Sequence, residues 1–231
     1  LNNFHLKNGA KFVPFAGYQM PINYKKGIIG EHLHVREKTG IFDVSHMGQL
    51  LIEGTGATKA LELLVPAALQ EMIPGQIRYS QLTLKNGGIL DDLMLTRWDD
   101  EYWGLVVNGA CKYVDMHHLK KHLPAGVTMR YLDNYSLIAV QGPKARRILS
   151  ELIPEAEKLV FMRSTQTLWN GHDITLSCCG YTGEDGYEIS IAKQFARELA
   201  EALTQLRETT WVGLGARNSL RLETGLCLYG N

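Results

Sequence analysis

Two adjacent acids interrupt the apolar run Ile89-Leu90-Asp91-Asp92-Leu93-Met94-Leu95. In a strand, successive side chains point to opposite faces, so Asp92 shares a face with Leu90 and Met94. Asp91 shares the other with Ile89, Leu93 and Leu95. A carboxylate on an apolar face is costly unless it is paired or used for chemistry, and on this ground Asp92 is the candidate acid. Asp91 is expected to cap the neighbouring Asn86-Gly87-Gly88 turn. A second segment, Gly180-Tyr181-Thr182-Gly183-Glu184-Asp185-Gly186-Tyr187-Glu188, spaces three glycines at intervals of three, which allows tight turns and close approach of a ligand to the backbone. The spacing is neither that of a dinucleotide loop nor that of a P-loop, and Asp185-Gly186 alone suits a plain hairpin turn. The third segment, Gly213 to Arg221, places Arg217 and Arg221 four residues apart on one helical face. There they could hold a carboxylate, although a solvated basic face is the commoner outcome.

Metal chemistry has little support. His32 and His34 fall on different sides of a helix, His117-His118 is unsuited to chelation, and neither H-E-x-x-H nor C-x-x-C occurs. His46 is expected to be structural. No G-x-S-x-G nucleophile elbow is present.

The surrounding chain has 231 residues, 24 Lys+Arg against 24 Asp+Glu and 45% hydrophobic residues. That is enough for one large domain or two small ones with real cores. Zero net charge without a basic block argues against nucleic-acid binding through phosphates. No apolar stretch has the length of a membrane span and no signal peptide is visible, so neither membrane nor secretion is expected. Cys111, Cys178, Cys179 and Cys227 follow no disulfide framework, which reads as a reduced, intracellular protein.

Helix and strand periods are interleaved. A helix over 28–39 with Ile29, Leu33 and Arg36 on one face is expected to end at Gly40. A strand at 49–53 and a helix at 57–65 follow. Strands at 79–84, 89–97 and 102–108, joined at Asn86-Gly87-Gly88 and Asp99-Asp100, predict an antiparallel meander. Further helices are predicted over 110–122, 142–152, 193–207 and part of 215–224, with strands at 136–141, 173–178 and 187–192. The mixture without strict β-α-β alternation indicates an α+β fold.

Seven stretches taken together resemble one family, the aminomethyltransferases or T-proteins of the glycine cleavage system. They are Phe15-Ala16-Gly17-Tyr18-Gln19-Met20-Pro21, Ile41-Phe42-Asp43-Val44-Ser45-His46-Met47-Gly48, Gly87 to Leu93, Val106-Val107-Asn108, Val140-Gln141-Gly142-Pro143, Gly180 to Glu188, and Gly213 to Gly230. They occur in the family's order from end to end. The resemblance implies a folate-binding fold of two interleaved α/β domains with antiparallel sheets: residues 1–50 plus 133–228, which bind folate, and 51–132, which bear the acid. It implies an enzyme that receives an aminomethyl group from the lipoyl arm of the H-protein. That enzyme passes the methylene to tetrahydrofolate and releases ammonia, in a bacterial cytoplasm or a mitochondrial matrix. Carried over, Asp92 would be the catalytic acid and Glu188 the pterin-recognising acid, with Tyr181 in the same loop. Asn108, Met47 and Tyr79 would line the folate site, and Arg217 would bind folate. Tetrahydrofolate and the lipoyl group would be the small molecules involved, with no metal.

Two departures from the family pattern stand out. Its members continue into a further acidic motif and a C-terminal β-barrel domain, neither of which falls within these 231 residues, and Asn218 stands where Asp usually follows Gly-Ala-Arg. Competing readings on the same fold are a non-catalytic folate-binding protein of iron–sulfur cluster assembly and a folate-dependent demethylase. The first is marked by Lys-Gly-Cys-Tyr-x-Gly, whereas this chain reads Gly225-Leu226-Cys227-Leu228-Tyr229-Gly230, which is T-protein-like.

Overall fold

The computed structural model describes residues 1–230 and divides the chain into two compact units. One is Leu1–Ser45 together with the stretch from Asn134 onward; the other is the continuous segment His46–Asp133. The boundary therefore falls between Ser45 and His46, five residues earlier than the sequence suggests. In chain order the elements are α1 (Asn2–Lys7), β1 (Lys11–Phe15), β2 (Tyr18–Asn23), α2 (Gly27–Glu37), β3 (Thr39–Asp43), β4 (Gly48–Glu53), α3 (Ala57–Glu62), β5 (Ile77–Thr83), β6 (Ile89–Asp99) and β7 (Tyr102–Val107). They continue with α4 (Lys112–His122), β8 (Thr128–Tyr131), β9 (Tyr135–Gln141), α5 (Ala145–Ser150), β10 (Arg163–Trp169), β11 (His172–Cys178), β12 (Gly186–Ala192), α6 (Ala196–Gln205), β13 (Thr209–Trp211) and α7 (Leu214–Glu223).

The 46–133 unit is built on a five-stranded sheet in the order β5-β6-β7-β4-β8, all of whose pairs are antiparallel. The predicted meander is its first three strands. Its first turn closes because Gly87 takes φ +83° and Asn86 Oδ1 accepts the Gly88 N–H at 3.1 Å. Asp91 has no part in that cap. One face of the sheet buries Ile52, Leu82, Leu93, Leu95 and Trp103 together with Leu61 and Leu69. The Trp103 indole N–H is satisfied by Thr58 Oγ1 at 2.9 Å, so the ring is buried without an orphaned donor.

The other unit carries a six-stranded sheet in the order β10-β11-β12-β9-β3-β13 and a separate β1-β2 hairpin. All pairs in the large sheet are antiparallel except β13 with β3, so the fold is α+β with a single parallel pair. Ile138, Val140, Leu176, Tyr187, Ile189 and Ile191 form the sheet side of its core. Helix α6 closes it with Ala196, Leu199, Ala200 and Leu203, at helical spacings of three and four.

Helix α2 differs from expectation. Ile29 and Leu33 are exposed, and the buried residues are Glu31 and Val35. Gly40 does not end the helix but lies in β3, where a Cβ would come 2.5 Å from Val35 Cγ2 and 2.8 Å from Val212 Cγ2. The glycine lets strand and helix approach closely, which apolar periodicity does not register. All four cysteines are free thiols.

Ile189 is fully buried at the centre of the large sheet. Ile189→Ala should therefore cost about 2–5 kcal/mol in chemical denaturation. A loss below about 1 kcal/mol would contradict the placement of the core.

Candidate functional site

The two acids lie where the sheet of the 46–133 unit loses a neighbour. β7 pairs with β6 only as far as Leu93 opposite Val107, so continuing the register one step puts Asn108 beside Asp92. With the strand ended, the Asn108 side chain is free to turn back on β6. Its Nδ2 donates to Asp91 Oδ1 at 2.9 Å, to Asp92 Oδ1 at 2.6 Å and to the Asp92 carbonyl at 3.3 Å. The Asn108 backbone N–H adds a bond to Asp91 Oδ2 at 3.3 Å. One amide thus ties together carboxylates that point to opposite faces of the same strand.

On the other side of β6, Tyr79 pairs with Met94 in β5, and its hydroxyl donates to Asp92 Oδ2 at 3.0 Å. Both oxygens of Asp92 are therefore held by neutral donors, while the side chain remains half-exposed. The buried acid is Asp91, which is 0% exposed. Strand alternation is as read from the sequence, but the core face is that of Asp91, Leu93 and Leu95. The expectation that Asp92 occupies the buried apolar face is therefore corrected: that place belongs to Asp91. Both faces of this strand are apolar in sequence, and only the packing distinguishes them.

After Asn108 the chain turns into α4, whose first N–H groups, from Cys111 and Lys112, bond the Asn108 carbonyl at 3.0 and 2.9 Å. One turn on, Asp115 is fully buried and faces Asp91. Burial first, then a hydrogen bond with Asp91 and the charges of Asp91 and Asp92, push its carboxyl up to about 8. The Cys111 thiol is likewise pushed up to about 11, by burial and then by Asp91. The start of α4 can come this close because Gly48 offers no Cβ, which would lie 2.9 Å from Lys112 Cβ. Lys112, also buried, donates through Nζ to the His46 carbonyl at 3.2 Å. Met47 is half-buried just before Gly48, which pairs with Val107.

In the other unit, Glu188 lies on β12 between Ser177 of β11 and Ala139 of β9. Burial pushes its carboxyl up, and the Arg217 charge and a bond from the Cys179 thiol oppose that shift. Arg217, near the start of α7, stacks its guanidinium 4.6 Å from the Tyr181 ring centroid. Burial depresses its pKa, with Glu188 acting the other way. Arg217 also borders a small depression with Met20, Phe42, Asp43 and Gly213. An acid, a stacked guanidinium and a tyrosine together form a polar group suited to a planar ligand that carries both donors and acceptors.

Buried polar contacts hold this group in place. Glu31 accepts the Tyr24 N–H at 2.5 Å and the Gly213 N–H at 2.9 Å, which fixes the entry into α7. Gln141, fully buried, donates to the Cys179 and Tyr187 carbonyls and accepts from Thr182 Oγ1 at 3.1 Å. Arg36 reaches the Thr182 carbonyl at 2.6 Å, Glu184 at 2.9 Å, the Leu220 carbonyl at 3.2 Å and Glu223 at 2.6 Å. Gly183, at φ +78°, rests so close to Thr224 that a Cβ would come 2.2 Å from its Cγ2. Residues 179–185 are thus a pinned loop closing the β11–β12 hairpin, and Asp185-Gly186 does not form a tight two-residue turn. Tyr181 donates through its hydroxyl to the Cys227 carbonyl.

Arg217 and Arg221 do not form a joint clamp. Arg221 turns to Asn218 Oδ1 at 2.9 Å and the Leu226 carbonyl at 3.3 Å. Asn218 therefore partners Arg221, and the charge that acts on Arg217 is that of Glu188. Sequence reasoning missed Glu31, Arg36, Gln141 and Asp115. Only Asp115 carried a readable signal, as an acid four residues before Leu119 and three after Lys112 on the buried stripe of α4.

The family described as the GCVT N-terminal domain matches residues 1–231. The chain belongs to that family. It is 41% identical over 247 residues to the mitochondrial aminomethyltransferase of Dictyostelium discoideum, covering the whole chain and 61% of that protein. To the probable mitochondrial aminomethyltransferase of Schizosaccharomyces pombe it is 40% identical, with the same coverage. Among solved structures it is similar to the glycine cleavage system aminomethyltransferase T of Bartonella henselae. There the TM-score is 0.94 at 40% identity, over 99% of this chain and 63% of the other. The chain thus spans about three-fifths of the length of these relatives, and the resemblance seen in its motifs is a family relationship.

Two expectations follow from the site. Arg36→Ala removes charged bonds to the 180–186 loop and α7, so about 1.5–3 kcal/mol of stability should be lost. Amide exchange should accelerate first in that loop; exchange no faster there than in β9 would contradict its role as a clamp. For Asp115, a folded pKa of about 8 lies above the unfolded value near 3.9. The folded chain therefore keeps a proton that the unfolded chain releases. The stability this contributes is complete below about pH 4 and is lost as pH rises toward 8. Urea midpoints of the native chain should fall across that window relative to Asp115→Asn, and parallel curves would contradict a retained proton.

Proposed function

We propose that the protein is a tetrahydrofolate-dependent aminomethyltransferase of glycine catabolism. The donor would be the aminomethyl-lipoyl arm of the glycine cleavage H-protein. The methylene carbon leaves sulfur and nitrogen and forms two bonds to ring and side-chain nitrogens of tetrahydrofolate. Dihydrolipoyl H-protein and ammonia are the other products, and the carbon changes neither electron count nor oxidation level. One observation carries the reading: a half-exposed carboxylate, Asp92, is fixed by Asn108 and Tyr79 in a chain whose curated relatives are named aminomethyltransferases.

The chemistry accounts for these residue types. Transfer passes through cationic, iminium-like species and needs a folate nitrogen as nucleophile. An oriented carboxylate such as Asp92 stabilises that positive charge or takes the proton of the attacking nitrogen. The pterin presents an amino group and a ring N–H side by side, and Glu188 can accept both. Arg217 and Tyr181 supply a stacked cation and an aromatic face beside it. Asn108, Tyr79 and Met47 are assigned to the folate site with Asp92. On this reading the two functions are carried by different units.

The two relatives described above are named mitochondrial, and the solved relative comes from a bacterium; on this reading the reaction belongs to a mitochondrial matrix or a bacterial cytoplasm. Among the described residues no helix is long and apolar enough to cross a membrane.

In the whole protein, Asp92→Asn should lower kcat for ammonia release about 10²–10³-fold with little change in tetrahydrofolate affinity. Glu188→Gln should instead weaken tetrahydrofolate binding about 10- to 100-fold by calorimetry, because an acceptor is replaced by a group that offers donors to donors. Near-normal turnover of the first variant would remove Asp92 from the chemistry. Unchanged folate affinity in the second would remove Glu188 from pterin recognition.

A further inference from the structure

Asp115 is 0% exposed, and neither of its carboxyl oxygens has a hydrogen-bond donor among the described residues. A buried carboxylate with two orphaned oxygens is too costly to persist in this form. It faces a second fully buried acid, Asp91, whose two oxygens both accept from Asn108. A single proton resolves both problems: carried by Asp115 and donated to Asp91, it turns two facing acceptors into a donor–acceptor pair.

The geometry says which acid holds it. Asp91 already accepts at both oxygens, from the Asn108 N–H at 3.3 Å and from Nδ2 at 2.9 Å. Asp115 accepts from nothing. The titratable and charged groups around the pair are Asp91 and Asp92 from β6, and Cys111 and Lys112 from the start of α4. Lys112 donates to the His46 carbonyl and lies over the rings of Tyr113 and Tyr131.

We propose that Asp115 is a positioning residue for Asp92. Its retained proton, donated to Asp91, holds that carboxylate against the Asn108 amide, and the amide in turn sets the direction of Asp92. The chain of contacts is Asp115 to Asp91, Asp91 to Asn108 and Asn108 to Asp92, across the thickness of one strand. Deprotonation of Asp115 would place two negative charges face to face and release Asn108 from its fixed orientation. The inference rests on the role proposed above for Asp92, but the proton itself can be observed without it.

The test compares the native protein, Asp115→Asn and Asp115→Leu in the whole protein, using infrared difference spectra across pH and steady-state ammonia release. The native protein should show the C=O stretch of a protonated carboxylic acid at pH 7, absent from both variants and lost on titration toward alkaline pH. Asp115→Leu should lower kcat about 10- to 100-fold with the KM for tetrahydrofolate little changed, as expected for a misplaced reacting group. Asp115→Asn keeps a donor toward Asp91 and should recover most of that loss, and its alkaline limb should lie at higher pH. No protonated-acid band in the native protein, or equal kcat and pH profile in Asp115→Leu, would overturn the proposal. A native protein that shows the band but transfers no aminomethyl group would overturn the reading of Asp92 instead.

Discussion

A strand sends adjacent side chains to opposite faces, yet Asp91 and Asp92 are controlled by a single amide. The structure achieves this by ending β7 one residue short, so that Asn108 stands at the open edge of β6 and reaches both acids. Much else in the 46–133 unit serves that contact. The meander sets the register, Gly48 lets α4 begin close beside β7, and the Asn108 carbonyl caps the first N–H groups of that helix. Tyr79 completes the arrangement from the neighbouring strand. In the proposed reaction, neutral donors such as Asn108 and Tyr79 orient Asp92 toward a developing cation without the competition an ion pair would bring.

The other unit meets a different need by related means. Glu188 lies on a rigid central strand, while Arg217 and Tyr181 come from a helix start and a loop, which by themselves are less constrained. Glu31, Arg36 and Gln141 remove that freedom by hydrogen bonding to backbone atoms of the loop and of α7. The cost of burying Glu31 and Gln141, and half-burying Arg36, is offset because each bonds more than one backbone group. Rigid support of this kind is what recognition of a planar, multiply hydrogen-bonding ligand requires.

Much of this was legible in the amino-acid order, for identifiable reasons. The meander, α6 and β9 announce themselves through period-two and helical apolar patterns and through Asn86-Gly87-Gly88. Short or polar elements such as β8, β10 and β13 do not, since their pairing is decided by distant strands. Asp92, Glu188 and Arg217 were reached through motifs. The burial argument for Asp92 itself failed because Leu90 and Met94 look as apolar as Leu93 and Leu95. Helix α2 misled in the opposite direction: its conspicuous Ile29 and Leu33 are exposed, while Glu31 is buried by bonds to Tyr24 and Gly213 that no local pattern encodes. The supporting polar residues are long-range partners, up to 187 residues apart in the chain, and become visible only in three dimensions.

The central claim is that Asp91 acts on Asp92 through Asn108. The most direct test is a double-mutant cycle on kcat for aminomethyl transfer, using Asp91→Asn, Asn108→Ala and the two combined. If Asn108 is the link, the double variant should be no slower than the more damaging single variant, because the second change removes nothing further. Losses that simply add would show that the two residues act independently, and would contradict the account.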